Sequence, residues 1–456
     1  MSSGELPLEV YHRTNAVGSG SFGSVVVVYD DDGEEYAMKL FDEEDEGDGS
    51  EDSEDYGISL GALREISILR FLREENSHPN IIAIHDVQTA FGEEDDEEFG
   101  TYAMAMPLFP DGSLANALSK ITTKKQKVEI ARGIINAIAY LHENSIIHRD
   151  IKSDNILLRI NSPENKPGCD TFDPVLIDFS LAKFVNAGEC SEFEPTHTPS
   201  MGTPTYKSPE VVAEEPYGLP SDMWSVGVVL LELLQGKCID ATRDKAAIAF
   251  VSGSLERLPE GQPFPSLLRG LLETDPKKRW TARQALDCDL FTKFQMSEEA
   301  DAKTFRQICL SSALPIEGDQ SHTDFGLDKE NKENLWEPKR STPKKKNSNP
   351  VILKRDKLIR KICKWMEWEN PMTAKAAMQY SSLMNEIVGN VDDLNESNIL
   401  LDCLVLAHKF FEQHFSGTSD LDELYNKFGQ GDFDAEDYAG NENSIFAMMD
   451  FCLYPR

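Results

Sequence analysis

The sequence has no stretch apolar enough to span a bilayer. Its most apolar run, residues 226–234, carries Glu232 and falls far short of the ~20 residues a membrane helix needs. Paired cysteines are also missing. The eight cysteines (169, 190, 238, 288, 309, 363, 403 and 452) are scattered, and none stands at a CxxC or zinc-ligand spacing. That pattern reads as reduced thiols in a cytosolic or nuclear protein. Residues 1–11 contain Glu5 and Pro7 without an apolar segment, so no secretory leader is expected there. Basic residues are scarce: 45 Lys and Arg against 80 Asp and Glu give a formal net charge of -35. Direct nucleic-acid binding is not expected of so acidic a chain, because phosphate contacts need clustered cations. No membrane association is expected either.

What is present suffices for several cores. The chain has 456 residues, 40% of them hydrophobic, which suggests two or three domains. Much of the acid lies in residues 42–55 and 93–98, runs that resist burial and read as solvated inserts. Residues 25–29 and 36–41 read as strands around the turn Asp30-Asp31-Asp32-Gly33. Residues 60–72 carry Leu63, Ile66 and Leu69 at helical spacing. Strands are expected at 81–87 and 101–106, then helices at 128–142 and 221–234. Residues 295–350 are polar and read as a largely disordered linker. Helical periodicity returns at 353–366, 374–388 and 398–415, so residues 351–456 are expected to form a small all-α domain. No internal repeat is present.

Chemistry-bearing residues recur in a fixed order along the first part. Gly18-Ser19-Gly20-Ser21-Phe22-Gly23-Ser24-Val25 fits GxGxxGxV, in which glycines let backbone amides approach phosphates. Alone, such spacing often marks only a tight turn. Here a strand follows, where a dinucleotide-binding turn would open into a helix. Lys39 sits in Ala37-Met38-Lys39 on the next strand, and Glu65 on the first helix is a carboxylate able to hold it. A lone strand lysine is usually a surface residue; the ordered combination argues otherwise. His148-Arg149-Asp150-Ile151-Lys152-Ser153-Asp154-Asn155 fits HRDxKxxN, and Asp178-Phe179-Ser180 follows the apolar residues 175–177. Gly202-Thr203-Pro204-Thr205-Tyr206-Lys207-Ser208-Pro209-Glu210, Asp222 and Arg279 complete the set.

These motifs, over about residues 11–294, resemble the eukaryotic serine/threonine protein kinases. The resemblance implies an α+β bilobal protein-kinase fold, ATP and Mg2+ as cofactors, and protein substrates. It implies that Asp150 accepts or orients the substrate hydroxyl's proton, that Lys152 stabilises the transferring phosphoryl group, and that Asn155 and Asp178 bind Mg2+. The nucleotide would lie among Gly18, Ser19, Gly20, Gly23, Val25, Ala37, Lys39 and Glu65, with Met106 as gatekeeper and Leu108 in the hinge run Pro107-Leu108-Phe109. Lys152, two residues after Asp150, favours Ser/Thr over Tyr specificity. Most kinases carry glycine where Ser180 stands. In the family Arg279 pairs with Glu210, and Asp222 braces the catalytic loop.

Ala62-Leu63-Arg64-Glu65-Ile66 is similar to the PSTAIRE helix of cyclin-dependent kinases. That likeness implies a phosphate on Thr198 surrounded by Arg64, Arg149 and Lys183, with Thr196 and Ser200 as rival sites. Lys207 departs from the arginine of proline-directed kinases, and their C-lobe insert is absent. Residues 398–412 resemble the third helix of a cyclin box, where the residue matching Lys409 contacts the kinase near its C-helix. An unrelated helical bundle is the plain alternative. The combined expectation is a bilobal kinase followed by a small all-α cyclin-like domain, activating in cis and acting in cell-cycle or transcription control. The alternatives are a pseudokinase scaffold and a tail that binds a separate partner, such as another kinase. In the linker, the basic cluster at 339–346 suits an importin groove, Thr342-Pro343 resembles a cyclin-dependent kinase substrate site, and two Lys-Glu-Asn triplets resemble destruction signals. Nucleus and cytoplasm are the expected locations.

Overall fold

The computed structural model describes residues 11–20, 23–41, 58–91, 100–161, 171–185, 203–240 and 243–292. In the C-terminal part it describes 359–363, 366, 371–388, 396–412, 424–428, and positions 438, 442, 445, 446 and 453. Thr198, its rivals Thr196 and Ser200, and the linker motifs lie outside the described residues.

The N-terminal lobe is a five-stranded antiparallel sheet. Its strands are β1 (His12–Gly20), β2 (Gly23–Tyr29), β3 (Glu35–Phe41), β4 (Asp86–Phe91) and β5 (Gly100–Pro107), in the order β1-β2-β3-β5-β4. Burial alternates along β2: Val26 and Val28 are fully covered while Val25 and Val27 are half-buried, the period-two signature of a strand. With Tyr11, Met38, Leu40, Ala103 and Ala105 they make a small core on one sheet face. Phe41, Tyr102 and Met104 join the main core on the other. The β2–β3 turn closes on Gly33, whose φ of 84° suits glycine, while Asp30 Oδ1 accepts from the amides of Asp32 and Glu34.

The strand expected at 81–87 is a correction. Ile81 makes only an isolated bridge to Leu176, and regular pairing starts at Asp86. Ile81, Ile82 and Ile84 are all buried, so the apolar run reports core contact by an irregular segment; a short apolar run cannot by itself identify a strand.

Helix α1 (Leu60–Asn76) starts at Ser59, whose side chain accepts the Ala62 amide at 3.1 Å. Its periodicity predicts one apolar face. Instead residues 62–69 are all buried, including Arg64, Glu65 and Ser67. A helix buried all round has cover on both sides, and here the second cover comes from the far end of the chain.

The C-terminal lobe comprises α2 (Leu114–Ala117), α3 (Lys124–Glu143), β6 (Ile146–Ile147), β7 (Ile156–Asn161), β8 (Thr171–Leu176) and β9 (Lys183–Phe184). After these come α4 (Pro209–Val212), α5 (Leu219–Gln235), α6 (Asp244–Glu256), α7 (Pro263–Leu271) and α8 (Ala282–Leu286). A Thr123–Gln126 capping box opens α3. Gly133 inside α3 lets the β7–β8 hairpin lie close, since a Cβ there would come within 2.6 Å of the Pro174 ring. Helix α5 is buried along almost its whole length and carries the lobe's core.

Two further helices, α9 (Pro371–Val388) and α10 (Glu396–Glu412), pack on each other, and α10 packs on α1. Phe410 of α10 lies 6.3 Å from the ring of Phe184, and Phe446 lies 5.8 Å from Tyr102. The amide of Ile58, just before α1, donates to Glu442 Oε2 at 2.9 Å. Among the described residues no helix is long and apolar enough to cross a membrane.

Candidate active site

The loop between β6 and β7 is fixed from below by one carboxylate. Asp222, in the first turn of α5, is buried and accepts from the amides of His148 (2.9 Å) and Arg149 (3.0 Å) and from His142 Nε2 (3.0 Å). Burial pushes the Asp222 carboxyl up, but donation from His142 and the neighbouring amide outweighs it and holds the group below 3.8. These bonds keep Arg149 in the left-handed region, φ 68°, an uncommon conformation for a side-chain-bearing residue. The turn presents Asp150, whose Oδ2 takes Lys152 Nζ at 2.7 Å and Asn155 Nδ2 at 2.9 Å. Both donors fall on one oxygen. Among the described residues Oδ1 is left for an incoming hydroxyl, within reach of a proton-accepting carboxylate.

The opposite wall comes from β3 and α1. Lys39 Nζ stands 2.6 Å from Glu65 Oε2 and 3.6 Å from Asp178 Oδ1. Burial pushes Lys39 down, the carboxylates of Glu65 and Asp178 push it up further, and it stays a cation above its ordinary 10.5. Asp178 has φ 64° and accepts a hydrogen bond on Oδ1 from the hydroxyl of Ser180 at 2.7 Å. Burial opposes its ionisation, but Lys39 and Ser180 prevail and hold it below 3.8. Glycine-bearing backbone closes the top: Gly18 pairs with Val25, Ser19 with Ser24 and Gly20 with Gly23 in the β1–β2 hairpin. Val25 in turn pairs with Lys39, and Ala37 with Met106. Met106 and Leu108 are half-buried at the end of β5 and just beyond it.

The donor set fits a hard divalent ion. Asn155 uses its amide nitrogen on Asp150, which leaves its carbonyl oxygen, and Asp178 engages Oδ1, which leaves Oδ2. Among the described residues no cluster of three or more acidic, His or Cys side chains could cage a metal alone. Mg2+ is commonly held in this way, by one or two protein oxygens with phosphates and water completing the shell.

Residues 11–291 match the protein kinase domain family. The chain belongs to the protein kinase family. It is 32% identical over 289 residues to the mouse serine/threonine-protein kinase DCLK3, covering 60% of this kinase and 32% of that one. It is 30% identical over 246 residues to serine/threonine-protein kinase pak-2 of Caenorhabditis elegans, 52% and 41% of the two chains. With serine/threonine-protein kinase TIO of Arabidopsis thaliana it shares 32% identity over 286 residues, 60% and 18% of the two. The kinase spans about a third of the length of the mouse relative. The family match ends at residue 291, so α9 and α10 lie beyond it.

Two charged clusters beyond the catalytic motifs shape this kinase. Arg279 donates to both oxygens of Glu210, at 2.6 and 2.9 Å, in a fully buried fork that fixes the segment after Thr203. At the α1 corner, Arg64, Lys183 and Phe184 line a small pocket with Phe410 and Phe411 of α10. Arg64 Nε and Arg149 Nη2 are buried without a hydrogen-bond partner among the described residues. Burial and the nearby Arg149 push the Arg64 guanidinium down to about 9.

Sequence reasoning missed several residues. Glu232 of α5 accepts from Ser153 Oγ, from the Tyr206 hydroxyl at 3.1 Å and from the Ile239 amide at 2.8 Å, tying the catalytic loop to the segment around Tyr206. A lone acid inside an apolar run was the available signal. Glu442 is the other. It is fully buried and accepts from Lys409 Nζ (3.2 Å), Tyr438 (2.9 Å) and Ile58 N (2.9 Å). Lys409 therefore reaches α1's flank through Glu442. No periodicity announces Glu442.

Proposed function

We propose that this chain is a serine/threonine protein kinase that transfers the γ-phosphoryl group of ATP to protein Ser or Thr hydroxyls, with its C-terminal helices acting in cis as an activating, cyclin-box-like domain. The observation that carries the reading is the 2.6 Å contact between Lys39 and Glu65, with Asp178 beside it. Lys39 orients the nucleotide's phosphates, and Glu65 keeps the ammonium in place. Asp150 receives the hydroxyl proton on Oδ1, and Lys152, 2.7 Å from that carboxylate, neutralises charge building on the phosphoryl group. Asn155 and Asp178 would hold a divalent ion, which would supply charge neutralisation to the nucleotide's phosphates. The open groove beside Asp150, bordered by Thr203, Lys207 and Tyr217, supports a seat for the substrate segment. Lys207 stands 3.9 Å from Asp244 there.

The cis reading rests on contacts at the start of α1 and at β9. Glu442 holds the Ile58 amide at the entrance of α1, and Phe410 packs beside Phe184 below it. Together these seat the helix that carries Glu65. The likeness to cyclin-dependent kinases rests on the α1 motif, and the nitrogens of Arg64 and Arg149 that have no partner among the described residues support a phosphate on Thr198 as a further ordering event. The basic residues 339–346 support distribution between nucleus and cytoplasm, which imaging of the chain with and without that cluster tests.

Phosphotransfer to a generic protein substrate with Mg-ATP tests the enzyme reading; equal signal from wild type and Asp178→Ala would sink it. Deletion of residues 351–456, alongside Glu442→Gln in the intact chain, tests cis activation. The expected result is lower turnover per active site in both, with wild-type activity independent of protein concentration. Unchanged turnover in the deletion rejects the activating role.

A further inference from the structure

We infer that Ser180 is a positioning residue whose hydroxyl holds the Asp178 carboxylate in the orientation that receives the metal ion. The inference rests on the kinase reading and adds to it a side chain for which the family's usual glycine has no counterpart.

The geometry is direct. Ser180 Oγ donates to Asp178 Oδ1 at 2.7 Å, and Lys39 Nζ approaches the same oxygen at 3.6 Å. With Oδ1 held from two sides, rotation of the carboxylate is restrained and Oδ2 is the oxygen left for the ion. A carboxylate oriented by an outer hydrogen bond needs less ordering when metal arrives. Ser180 is only 2% exposed, so water does not compete freely for its hydroxyl.

The serine also fits without backbone strain. Asp178 has positive φ, but Ser180 is not among the residues that do, so nothing at position 180 demands glycine. Its Cβ lies against the first turn of α1: a Cβ built on Gly61 would stand 3.7 Å away, an ordinary contact distance. Ser180 is thus seated by the helix that carries Glu65, and the seat of that helix extends through Ile58 to Glu442. The metal-facing carboxylate and the placement of α1 are joined through one side chain.

The test uses the full-length chain and two variants, Ser180→Ala and Ser180→Gly. Binding of a non-hydrolysable ATP analogue is followed by calorimetry without divalent metal and across a Mg2+ series, and thermal melts confirm that each variant is folded. Metal-free nucleotide affinity should be the same in all three proteins. The Mg2+ concentration for half-maximal tightening should rise by about 10-fold in both variants, the scale seen when an outer-sphere partner of a metal ligand is lost. At saturating Mg2+, turnover should return toward wild type. Wild-type Mg2+ dependence in either variant overturns the inference. Loss in Ser180→Ala with retention in Ser180→Gly overturns it as well, because backbone freedom would then be the operative property. If Ser180→Ala does not fold, Ser180→Gly alone decides by the same criterion. Phosphotransfer by the wild-type chain, run in parallel, separates the two readings: binding of Mg-nucleotide without transfer refutes the kinase reading, and the Mg2+ series still decides the role of Ser180.

Discussion

Asp222 and Arg64 are both buried and both charged, yet their surroundings differ in kind. Asp222 sits among three donors, and its neighbours in the C-terminal lobe are provided for in the same way. Glu210 has both forks of Arg279, and Glu232 has Ser153, Tyr206 and Ile239. At the α1 corner, Arg64 is 5% exposed, its Nε has no partner among the described residues, and the strongest charge acting on it is another cation, Arg149. Buried charge is costly unless paired. The buried acids of the C-terminal lobe are therefore provided for, whereas the corner between α1, β9 and α10 offers Arg64 Nε and the nearby Arg149 Nη2 no hydrogen-bond partner among the described residues. One region is a fixed base and the other has something still to gain.

The contrast can be broken most severely at the fixed base. Asp150→Asn should lower phosphotransfer by about 10²–10⁴-fold, the usual worth of a positioned proton acceptor, with little change in the melting curve. Arg279→Leu should cost about 3–5 kcal/mol in chemical denaturation, because Glu210 stays buried without its counter-charge. Loss of less than ~1 kcal/mol would show that the fork is not what holds the segment. Asp222→Asn should cost about 2 kcal/mol at neutral pH. The wild-type group is held below its unfolded value of 3.8, so its contribution is full above that pH and fades as pH falls through the lower folded value. The variant's stability should therefore flatten on the acid side, as read from urea midpoints against pH. The corner should respond with the opposite sign. In unphosphorylated protein, Arg64→Leu should raise stability by about 1 kcal/mol, since a buried charge whose Nε has no partner among the described residues is removed. A lower melting temperature would show that Arg64 is already compensated.

The order of motifs made much of the site legible. Lys39, Glu65, Asp150, Asn155 and Asp178 are far apart in sequence, but each stands in a local pattern whose chemistry has few other uses. Helix positions were readable wherever apolar residues kept period, as in α3 and α5. Side-chain contacts across long separations were not. Ser153 and Glu232 meet across 79 positions, and Ile58 and Glu442 across 384. Such bonds leave no periodic trace in a single sequence. The run 81–87 misled for a related reason: burial of its isoleucines comes from core contact by an irregular segment, which composition alone cannot tell from strand pairing. The all-round burial of α1 was equally invisible, because the helix that covers it lies more than three hundred residues downstream.

That separation sets a timetable for the newly made protein. After Ile58 is incorporated, 384 further residues must be added before Glu442 exists, roughly 20–80 s of synthesis at common elongation rates. Once Arg279 has been added, and until Glu442 follows, the nascent polypeptide holds every motif of the catalytic domain but lacks the acceptor for the Ile58 amide. Translation products that stop before Glu442 keep that deficit permanently.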